Sequence, residues 1–267
     1  MRRINRRLSK NRFISARRLK DQLNLRTIHR AIRLEGFIRL KMRKRPALND
    51  EHKRKRLLFA TSALRNRAWE YVIFTDEKKF NLNRPDSYHD YWHHPGTQQP
   101  LNFSRAFRPK DGVMIWGGIS EMGGMFLAKM PQGKINAGKY IEGLQENFLP
   151  EWNQLQEIAP GADWIFYQDN APVHAAKITK EFLIANNIKT EQAPPCSPDL
   201  NPIENVWGIL ASRVYAGGKT YGSRDELWEA IYTQWNRITE SEIKKLIKSM
   251  DQRLVEVIQA HGAFTRF

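Results

Sequence analysis

The stretch that decides the fold begins with WIFYQDNAPVH (residues 164–174) and ends with APPCSPDLNPIENVWGIL (residues 193–210). Its first four residues are all apolar, which is typical of a short strand buried on both faces of a sheet. Gln168 and Asp169 follow immediately. The carboxylate of Asp169 is therefore predicted to emerge at the carboxyl end of that strand.

The second half of this stretch predicts a rigid turn followed by a helix. Prolines stand at positions 194, 195, 198 and 202. Asn201 is predicted to cap the helix, with Pro202 at the first helical position. The apolar residues Ile203, Val206, Trp207 and Leu210 follow at helical spacing, which predicts one buried face. Glu204 then lies in the first turn of this helix.

An upstream segment repeats the first pattern. Residues 71–74 are again four apolar residues in succession, and Thr75 and Asp76 follow in the same phase as Gln168 and Asp169. If the two strands lie side by side and parallel, both carboxylates emerge at one edge of the sheet. Together with Glu204 they would repel one another unless a divalent cation lay between them. Oxygen ligands without His or Cys favour Mg²⁺ or Mn²⁺.

Three motifs occur in order along the chain: TDEKKFNL (residues 75–82), FYQDNAPVH (166–174) and SPDLNPIENVWG (197–208). Together they resemble the catalytic signature of the mariner/Tc superfamily of DDE transposases. Thirty-four residues separate Asp169 from Glu204, which is the spacing of the Tc branch, and 92 separate Asp76 from Asp169. The resemblance covers the chain from about Ala68 to the C-terminus and, more loosely, the N-terminal part.

The resemblance implies a cut-and-paste DNA transposase in which Asp76, Asp169 and Glu204 are both the catalytic residues and the metal ligands. Asp76 would bridge two Mg²⁺ or Mn²⁺ ions, and the other two acids would hold one ion each. Water would cut the transposon end, and the freed 3′-hydroxyl would then attack target DNA. The implied partners are double-stranded DNA, as terminal inverted repeats and a target at TA, and further copies of the chain in a homodimer or higher multimer.

The order of predicted elements, βββαβαβα, favours an α/β fold with a ribonuclease H-like mixed sheet flanked by helices, preceded by a small all-α helix-turn-helix segment. The motif resemblance implies the same fold. Polar and apolar residues alternate within 78–82, which predicts a hairpin partner of the first strand. The other elements are predicted as two strands within 112–130, helices over 137–148 and 175–186, and a strand over 188–192.

Three domains are predicted: a helix-turn-helix-like DNA-binding segment over residues 1–40, a basic linker and helix over 41–67, and the catalytic domain with C-terminal helices over 68–267. In the last of these, Ser223 with Glu226 and Thr239 with Glu242 have the spacing of capping boxes. The family's first helical subdomain has no counterpart before Asn11. We therefore expect weak discrimination between terminal-repeat and random DNA in a gel-shift titration, and strong discrimination would contradict this.

Positive charge is concentrated at one end of the chain. The first 60 residues contain 21 Lys and Arg against four Asp and Glu, whereas the other 207 contain 23 against 24. A basic arm on a near-neutral domain indicates nucleic-acid binding, and a solvated tail without a partner is the alternative. The hydrophobic content of 41% suffices for a core, and no apolar run is long enough to predict a membrane span. The single cysteine, Cys196, excludes an internal disulfide.

The basic arm contains two predicted helices, the first capped by Ser15 and the second running from Thr27 to Glu35. The second helix would be the recognition helix of a helix-turn-helix. Its outer face would present four side chains to DNA: Arg26, His29, Arg30 and Arg33. The connection between the helices is shorter than in the family. The alternative is therefore an Arg-rich hairpin that binds DNA by charge alone.

Two dense basic clusters follow the arm. They consist of Lys41, Arg43, Lys44 and Arg45, and of Lys53, Arg54, Lys55 and Arg56. Contact with the DNA backbone and nuclear import both explain such clusters, so we expect the protein to act in the nucleus. For the second cluster the alternative is the exposed face of a helix predicted over residues 51–64.

The candidate site residues also have structural interpretations. Asp76 and Asp169 would alone be ordinary turn residues at strand ends, and Glu204 stands three after Asn201, as a capping-box glutamate would. Asn170 and Asn205 flank the acids and are predicted to donate hydrogen bonds beside them. His174 is predicted to lie near the metal ions or to orient a water, with a polar residue at a helix start as the alternative. A histidine-rich segment does not predict zinc, because the Cys partners and spacing are missing: His89, His93 and His94.

Three function classes remain open from the residues: a transposase, a DNA-binding descendant of one without catalysis, and a different hydrolase such as a glycosidase or a ribonuclease H. The complete set of three acids argues against the second class. The basic arm argues against a glycosidase, and the motif SPDLNPIENVWG argues against a simple ribonuclease.

Overall fold

A mixed five-stranded sheet lies at the centre of the structure, a computed structural model that describes residues 47–83, 112–133 and 135–267. The strands are β1 (Val72–Asn81), β2 (Gly112–Ser120), β3 (Gly124–Lys129), β4 (Ile165–Gln168) and β5 (Thr190–Gln192). Their order across the sheet is β3-β2-β1-β4-β5. The first three are antiparallel, whereas β1, β4 and β5 run parallel. The predicted order of strands and the mixed sheet are confirmed.

The first strand is longer than predicted. Residues 78–82 are predicted to fold back as a hairpin partner, but β1 continues without a turn to Asn81 and pairs with β2 from Phe74 to Asn81. The prediction of a hairpin there is wrong because residues 72–80 contain no Gly or Pro at which a tight turn could form, so residues 78–81 extend β1 itself. The true partner begins at Gly112.

Nine α-helices surround the sheet in the part of the chain that the structure describes. They are α1 (Asp50–Asn66), α2 (Ala137–Gly143), α3 (Leu149–Ile158), α4 (Pro172–Ala175), α5 (Lys177–Ala185), α6 (Ile203–Val214), α7 (Arg224–Trp235), α8 (Glu240–Lys248) and α9 (Met250–Gln259). A π-helical turn, Leu144–Phe148, joins α2 to α3, so the helical segment extends beyond the predicted residue 148. Thr239 and Glu242 form the predicted capping box.

Helices cover both faces of the sheet and produce two hydrophobic cores. In the first core, α1 and α6 to α9 pack on the face that carries Phe74 and Tyr167. In the second core, α2, α3 and α5 pack on the opposite face around Trp116, Phe148 and Phe166. Two-sided burial explains why the strands read as continuous apolar runs rather than as alternating patterns. None of the described helices combines the length and apolar character needed to cross a membrane.

Helix α1 belongs to the same compact unit as the sheet. Asn49 caps it by accepting a hydrogen bond from the backbone N–H of His52, and the helix packs against α9. The compact unit begins at Ala47, so the boundary predicted between residues 67 and 68 falls inside it. The predicted helix over 51–64 is confirmed and slightly longer.

Part of the predicted DNA-binding surface lies outside the described residues. This applies to the helix-turn-helix segment, to its side chains Arg26, His29, Arg30 and Arg33, and to the cluster Lys41, Arg43, Lys44 and Arg45. Their proposed contacts stay predictions. The histidine-rich segment with His89, His93 and His94 also lies outside the described residues.

Candidate active site

The register of the sheet brings Asp76 and Asp169 to the same edge. Strands β1 and β4 are parallel, with Phe74 paired to Tyr167. Asp76 lies two residues after Phe74, and Asp169 lies two residues after Tyr167. Strand β4 ends at Gln168, so Asp169 stands just beyond the sheet, whereas Asp76 is still within β1. The predicted phase match between the two strands is confirmed.

Helix α6 places Glu204 over this edge. The apolar face predicted from sequence is buried against the sheet, with Ile203, Val206, Trp207 and Leu210 at 0–1% exposure. Each such side chain contributes roughly 1.5–3 kcal/mol by burial. Because Glu204 follows Ile203 directly, the packing that fixes the helix also fixes the position of its carboxylate.

Trp207 links the helix directly to the central acid. Its indole Nε1 donates a hydrogen bond of 2.9 Å to Oδ2 of Asp76. The ring fits closely over the sheet at Gly117, the residue opposite Asp76 on β2. A Cβ at Gly117 would lie 3.0 Å from the Trp207 ring, so glycine allows this approach. The spacing of Trp207 predicted burial but did not reveal this polar contact.

Asn201 does not cap helix α6, contrary to the prediction. Pro202 occupies the cap position, and no side chain caps the helix. The Asn201 amide instead donates a hydrogen bond of 3.0 Å to the carbonyl of Thr75, the residue before Asp76. The capping-box interpretation of Glu204 is therefore wrong as well. The sequence has the spacing of a cap, but the buried amide is used to hold the loop against the sheet.

The environment of Asp76 and Glu204 disfavours the ionised form of both acids. Burial, followed by the charges of Glu204 and Glu77, raises the pKa of Asp76 well above its usual range, against the opposing hydrogen bond from Trp207. Burial also raises the pKa of Glu204, where the charge of Asp169 adds to the effect and that of Lys78 opposes it. The carboxylates thus act on one another, as groups that share one small region must.

His174 lies between two acids at the same edge. Its Nδ1 is 2.7 Å from Oδ1 of Asp169, and its Nε2 is 3.2 Å from Oε1 of Glu77. Although burial alone would lower it, the hydrogen bonds and charges of these two carboxylates raise the pKa of His174 to about 9. The hydrogen bond from His174 in turn lowers the pKa of Asp169. His174 therefore lies beside Asp169 and Glu77, and its predicted role towards a metal ion or a water stays a prediction.

The other two predicted neighbours of the acids bond elsewhere. The side chain of Asn170 donates to the carbonyl of Ala193, which joins the loops that follow β4 and β5. Oδ1 of Asn205 accepts a hydrogen bond of 2.7 Å from Arg253 on α9. Adjacency in sequence placed both next to an acid, but a residue adjacent on a helix or turn points in a different direction. Neither prediction has a supporting contact.

The donor set fits a hard divalent cation. In the described ranges, no three His, Cys, Asp or Glu side chains are already gathered closely enough to hold a metal ion. The three acids nevertheless act on one another electrostatically, and their mutual repulsion is what a cation would relieve. Oδ2 of Asp169 makes no hydrogen bond to any residue that the structure describes.

The turn that precedes Glu204 is anchored by a buried ion pair. The guanidinium of Arg56 bonds both carboxylate oxygens of Asp199 at 2.8 Å, and its remaining N–H groups reach Ser197 and two backbone carbonyls of the C-terminal tail. Arg56 is fully buried. The prediction that Arg56 contacts DNA is therefore wrong, because all its donors are used inside the protein.

The other members of the second basic cluster lie on the surface of α1. Lys53 pairs with Asp50, whereas Arg54 and Lys55 both pair with Glu51. Such exposed pairs within a helix contribute little to stability. Their proposed contact with DNA stays a prediction.

Comparisons with known proteins identify the family. Residues 71–228 match the model of a family described as DDE superfamily endonuclease. The Tc3 transposase of Caenorhabditis elegans is 36% identical over 264 residues, covering 96% of this chain and 77% of that protein. The Tc1 transposase of Caenorhabditis elegans is 29% identical over 254 residues, covering 91% of this chain and 88% of that protein.

Solved structures share the fold. The Mos1 mariner paired end complex with Mn matches with a TM-score of 0.76 and 20% identity, covering 100% of this chain and 80% of that chain. The catalytic domain of Mos1 mariner transposase matches with a TM-score of 0.61 and 16% identity, covering 84% of this chain and 100% of that chain. These matches confirm the ribonuclease H-like sheet flanked by helices. The chain therefore belongs to the DDE superfamily of endonucleases and, within it, to the mariner/Tc transposases, which makes it a cut-and-paste DNA transposase.

Proposed function

We propose that Asp76, Asp169 and Glu204 form the single site at which this transposase cuts transposon ends and joins them to target DNA. The observation that supports the proposal is geometric: the pairing of Phe74 with Tyr167 aligns the strand ends of Asp76 and Asp169, and Trp207, on the helix that carries Glu204, bonds Asp76. The raised pKa values of Asp76 and Glu204 agree with this arrangement. Two strands and a helix deliver three repelling carboxylates to one edge, at a cost to stability that binding a cation would offset.

We further propose that two divalent cations, Mg²⁺ or Mn²⁺, bind there. Asp76, Asp169 and Glu204 would hold the ions. The similar Mos1 complexes are described with Mn and with Mg, which supports this choice of metal. When bound, the ions would supply Lewis-acid stabilisation to the attacking and leaving oxygens of an in-line displacement.

Two successive displacements at phosphorus make up the proposed reaction. In the first, a water oxygen bonds to phosphorus at the transposon end, and the bond to the 3′-oxygen breaks to leave a 3′-hydroxyl. In the second, that hydroxyl attacks a phosphate of the target and displaces the target's own 3′-oxygen. One phosphodiester is broken and one is formed in the second step, so no covalent enzyme intermediate is needed.

The proposed substrate is double-stranded DNA, held as two transposon ends by a dimer or higher multimer of this chain. Related structures are described as a Mos1 transposase paired-end complex and a Mos1 strand transfer complex. The first 60 residues contain 21 Lys and Arg, and all of them except the buried Arg56 are candidates for binding phosphates. A TA target and action in the nucleus are also proposed, from the family resemblance and the basic clusters respectively.

The decisive test is a reaction in solution of the full chain with a labelled duplex that ends in the element's terminal repeat, a target plasmid, and Mg²⁺ or Mn²⁺. We expect nicked ends and products joined to the plasmid, and loss of both when EDTA is added. If folded protein binds the duplex but never cuts it in either metal, the catalytic proposal is refuted. The protein would then be a DNA-binding descendant of a transposase.

Replacing Trp207 by Phe is expected to reduce cleavage about 10–100-fold at limiting metal, while most of the stability is kept. Phenylalanine retains the buried ring but removes the N–H that holds Oδ2 of Asp76. The measurement is the cleavage rate as a function of Mn²⁺ concentration. Trp164→Phe is the matched control, because the indole N–H of buried Trp164 has no partner among the described residues. Equal metal dependence in both variants would show that the indole N–H has no role.

A further inference from the structure

Asp169 is the least constrained of the three acids by the fold itself. Asp76 lies within a strand, and Glu204 lies on a helix whose apolar face is buried. Asp169 instead follows the last residue of β4, and 56% of its side chain is exposed. An exposed carboxylate beyond a strand end can adopt several rotamers, so its direction requires an additional restraint.

The restraint present in the structure acts on one oxygen only. Oδ1 of Asp169 accepts hydrogen bonds from His174 Nδ1 at 2.7 Å and from the backbone N–H of Ala171 at 2.8 Å. Both donors act on the same carboxylate oxygen, so they fix the direction of the group. Oδ2 is thereby left available for a cation.

His174 is itself held firmly. Its side chain is only 3% exposed, and its ring lies 4.5 Å from that of Tyr140. The hydroxyl of Tyr140 donates to the side chain of Gln168 at 3.0 Å, which ties this layer to the end of β4. Glu77 completes the arrangement from β1 by accepting a hydrogen bond from Nε2 of His174.

Glu77 directly follows Asp76, but successive residues of a strand point to opposite faces. Asp76 contacts Trp207 in the layer of α6, whereas Glu77 contacts His174 in the layer of α4 and Tyr140. Glu77 is therefore placed to orient the histidine rather than to join the acids. The contacts from Glu77 to His174 and from His174 to Asp169 therefore connect β1 with the end of β4.

We propose that Glu77 and His174 form a positioning pair that directs Oδ2 of Asp169 towards the bound cation, and that Glu77 is not itself a ligand. This inference rests on the proposed metal-dependent function. It follows the general behaviour of metal sites, in which hydrogen-bonded neighbours orient the ligands and their loss weakens metal binding about 10–100-fold.

The two nitrogens of His174 can be tested separately. In His174→Asn the amide nitrogen takes the place of Nδ1 and can still donate to Asp169, whereas in His174→Gln it takes the place of Nε2 and can reach only Glu77. Glu77→Gln keeps an oxygen that can accept from Nε2. His261→Asn is a matched control, since His261 is exposed and its φ of 49° suits asparagine.

The primary readout is the affinity of the full chain for Mn²⁺, measured by the electron paramagnetic resonance signal of free Mn²⁺. We expect His174→Ala and His174→Gln to weaken binding about 10–100-fold, His174→Asn to recover most of the loss, and Glu77→Gln to have a small effect. Circular dichroism checks that each variant is folded. Strand-transfer rates measured at increasing Mn²⁺ concentration should show that excess metal restores the activity of His174→Gln.

Different outcomes refute different claims. If wild type binds Mn²⁺, Asp169→Asn loses it and all His174 variants bind normally, the positioning role is refuted while the metal site stands. Equal losses in His174→Asn and His174→Gln also refute it, because they would indicate a role in packing only. A loss in Glu77→Gln as large as in Asp169→Asn would make Glu77 a ligand. If wild type itself shows no binding that depends on the acids, both the proposed function and this inference are refuted.

Discussion

Asp76→Asn, Asp169→Asn and Glu204→Gln are each expected to lower cleavage and strand transfer by about a thousandfold or more. Every substitution keeps the shape of the side chain but removes a negative charge from the proposed cation site. Metal ions supply several kcal/mol of transition-state stabilisation, which corresponds to a factor of that size. Cleavage of a labelled terminal-repeat duplex measures the effect, and a gel shift on the same duplex should show that DNA binding is retained.

Asp163→Asn provides the control for this set. Asp163 is an exposed acid that precedes β4 and pairs with Lys189 on the surface, so its loss should leave activity unchanged. A variant of Asp76, Asp169 or Glu204 that cuts at the wild-type rate would remove that residue from the proposed site.

The stability of the Asp76→Asn variant separates loss of chemistry from loss of folding. Burial and the charges of Glu204 and Glu77 disfavour the ionised form of Asp76, as its raised pKa indicates. Removing that charge should therefore keep or raise the melting temperature while activity disappears. A lower melting temperature would contradict this electrostatic account.

Arg56→Ala is expected to lower the free energy of unfolding by about 3–5 kcal/mol, far more than the loss of an exposed ion pair. The substitution would leave the buried carboxylate of Asp199 without the cation that bonds both its oxygens. It also removes donors to Ser197 and to the carbonyls of Gly262 and Ala263. Urea denaturation at neutral pH measures the loss.

The buried pair should also show a defined dependence on pH. Burial alone would raise the pKa of Asp199, but the hydrogen bonds and charge of Arg56 and the backbone N–H of Thr265 outweigh it and leave the pKa below the ordinary value of 3.8. Since the unfolded carboxyl binds protons first as the pH falls, the stability contributed by the pair is present above pH 3.8 and is lost as the pH falls through the native pKa. The deficit of Arg56→Ala should therefore be largest at neutral pH.

Two variants control for this interpretation. Lys55→Ala removes an exposed cation one residue away on α1 and should change stability by less than about 0.5 kcal/mol. The double variant Arg56→Met with Asp199→Asn removes both charges, so it should be more stable than Arg56→Ala alone. If Arg56→Ala and Lys55→Ala were equally stable, the buried pair would have no energetic importance.

The ion pair also bears on catalysis, because Asp199 lies in the turn that starts helix α6. Arg253 donates to the backbone carbonyl of Asp199 and to Asn205, so the turn is held on both sides of Glu204. The motif SPDLNPIENVWG thus contributes one proposed metal ligand together with the buried groups that fix its position. Its remaining polar residues are explained by packing rather than by chemistry.

Local patterns in the sequence were sufficient for the order of the strands, for the common phase of Asp76 and Asp169 and for the buried face of the helix that carries Glu204. The apolar runs at residues 71–74 and 164–167 predicted two buried parallel strands, and their common phase placed Asp76 and Asp169 at one edge. Helical spacing from Ile203 to Leu210 predicted the buried face of α6. These signals are local, since burial and strand phase depend on residues close together in the chain.

The tertiary structure alone decided which polar groups meet. Trp207 contacts Asp76 across 131 residues, Glu77 contacts His174 across 97, and Arg56 contacts Asp199 across 143. The sequence suggested a core tryptophan at position 207 and a DNA-binding arginine at position 56, and it carried no signal for the contact of Glu77. A hydrogen bond between distant residues depends on how helices and strands pack in three dimensions, and no periodicity within one element records that packing.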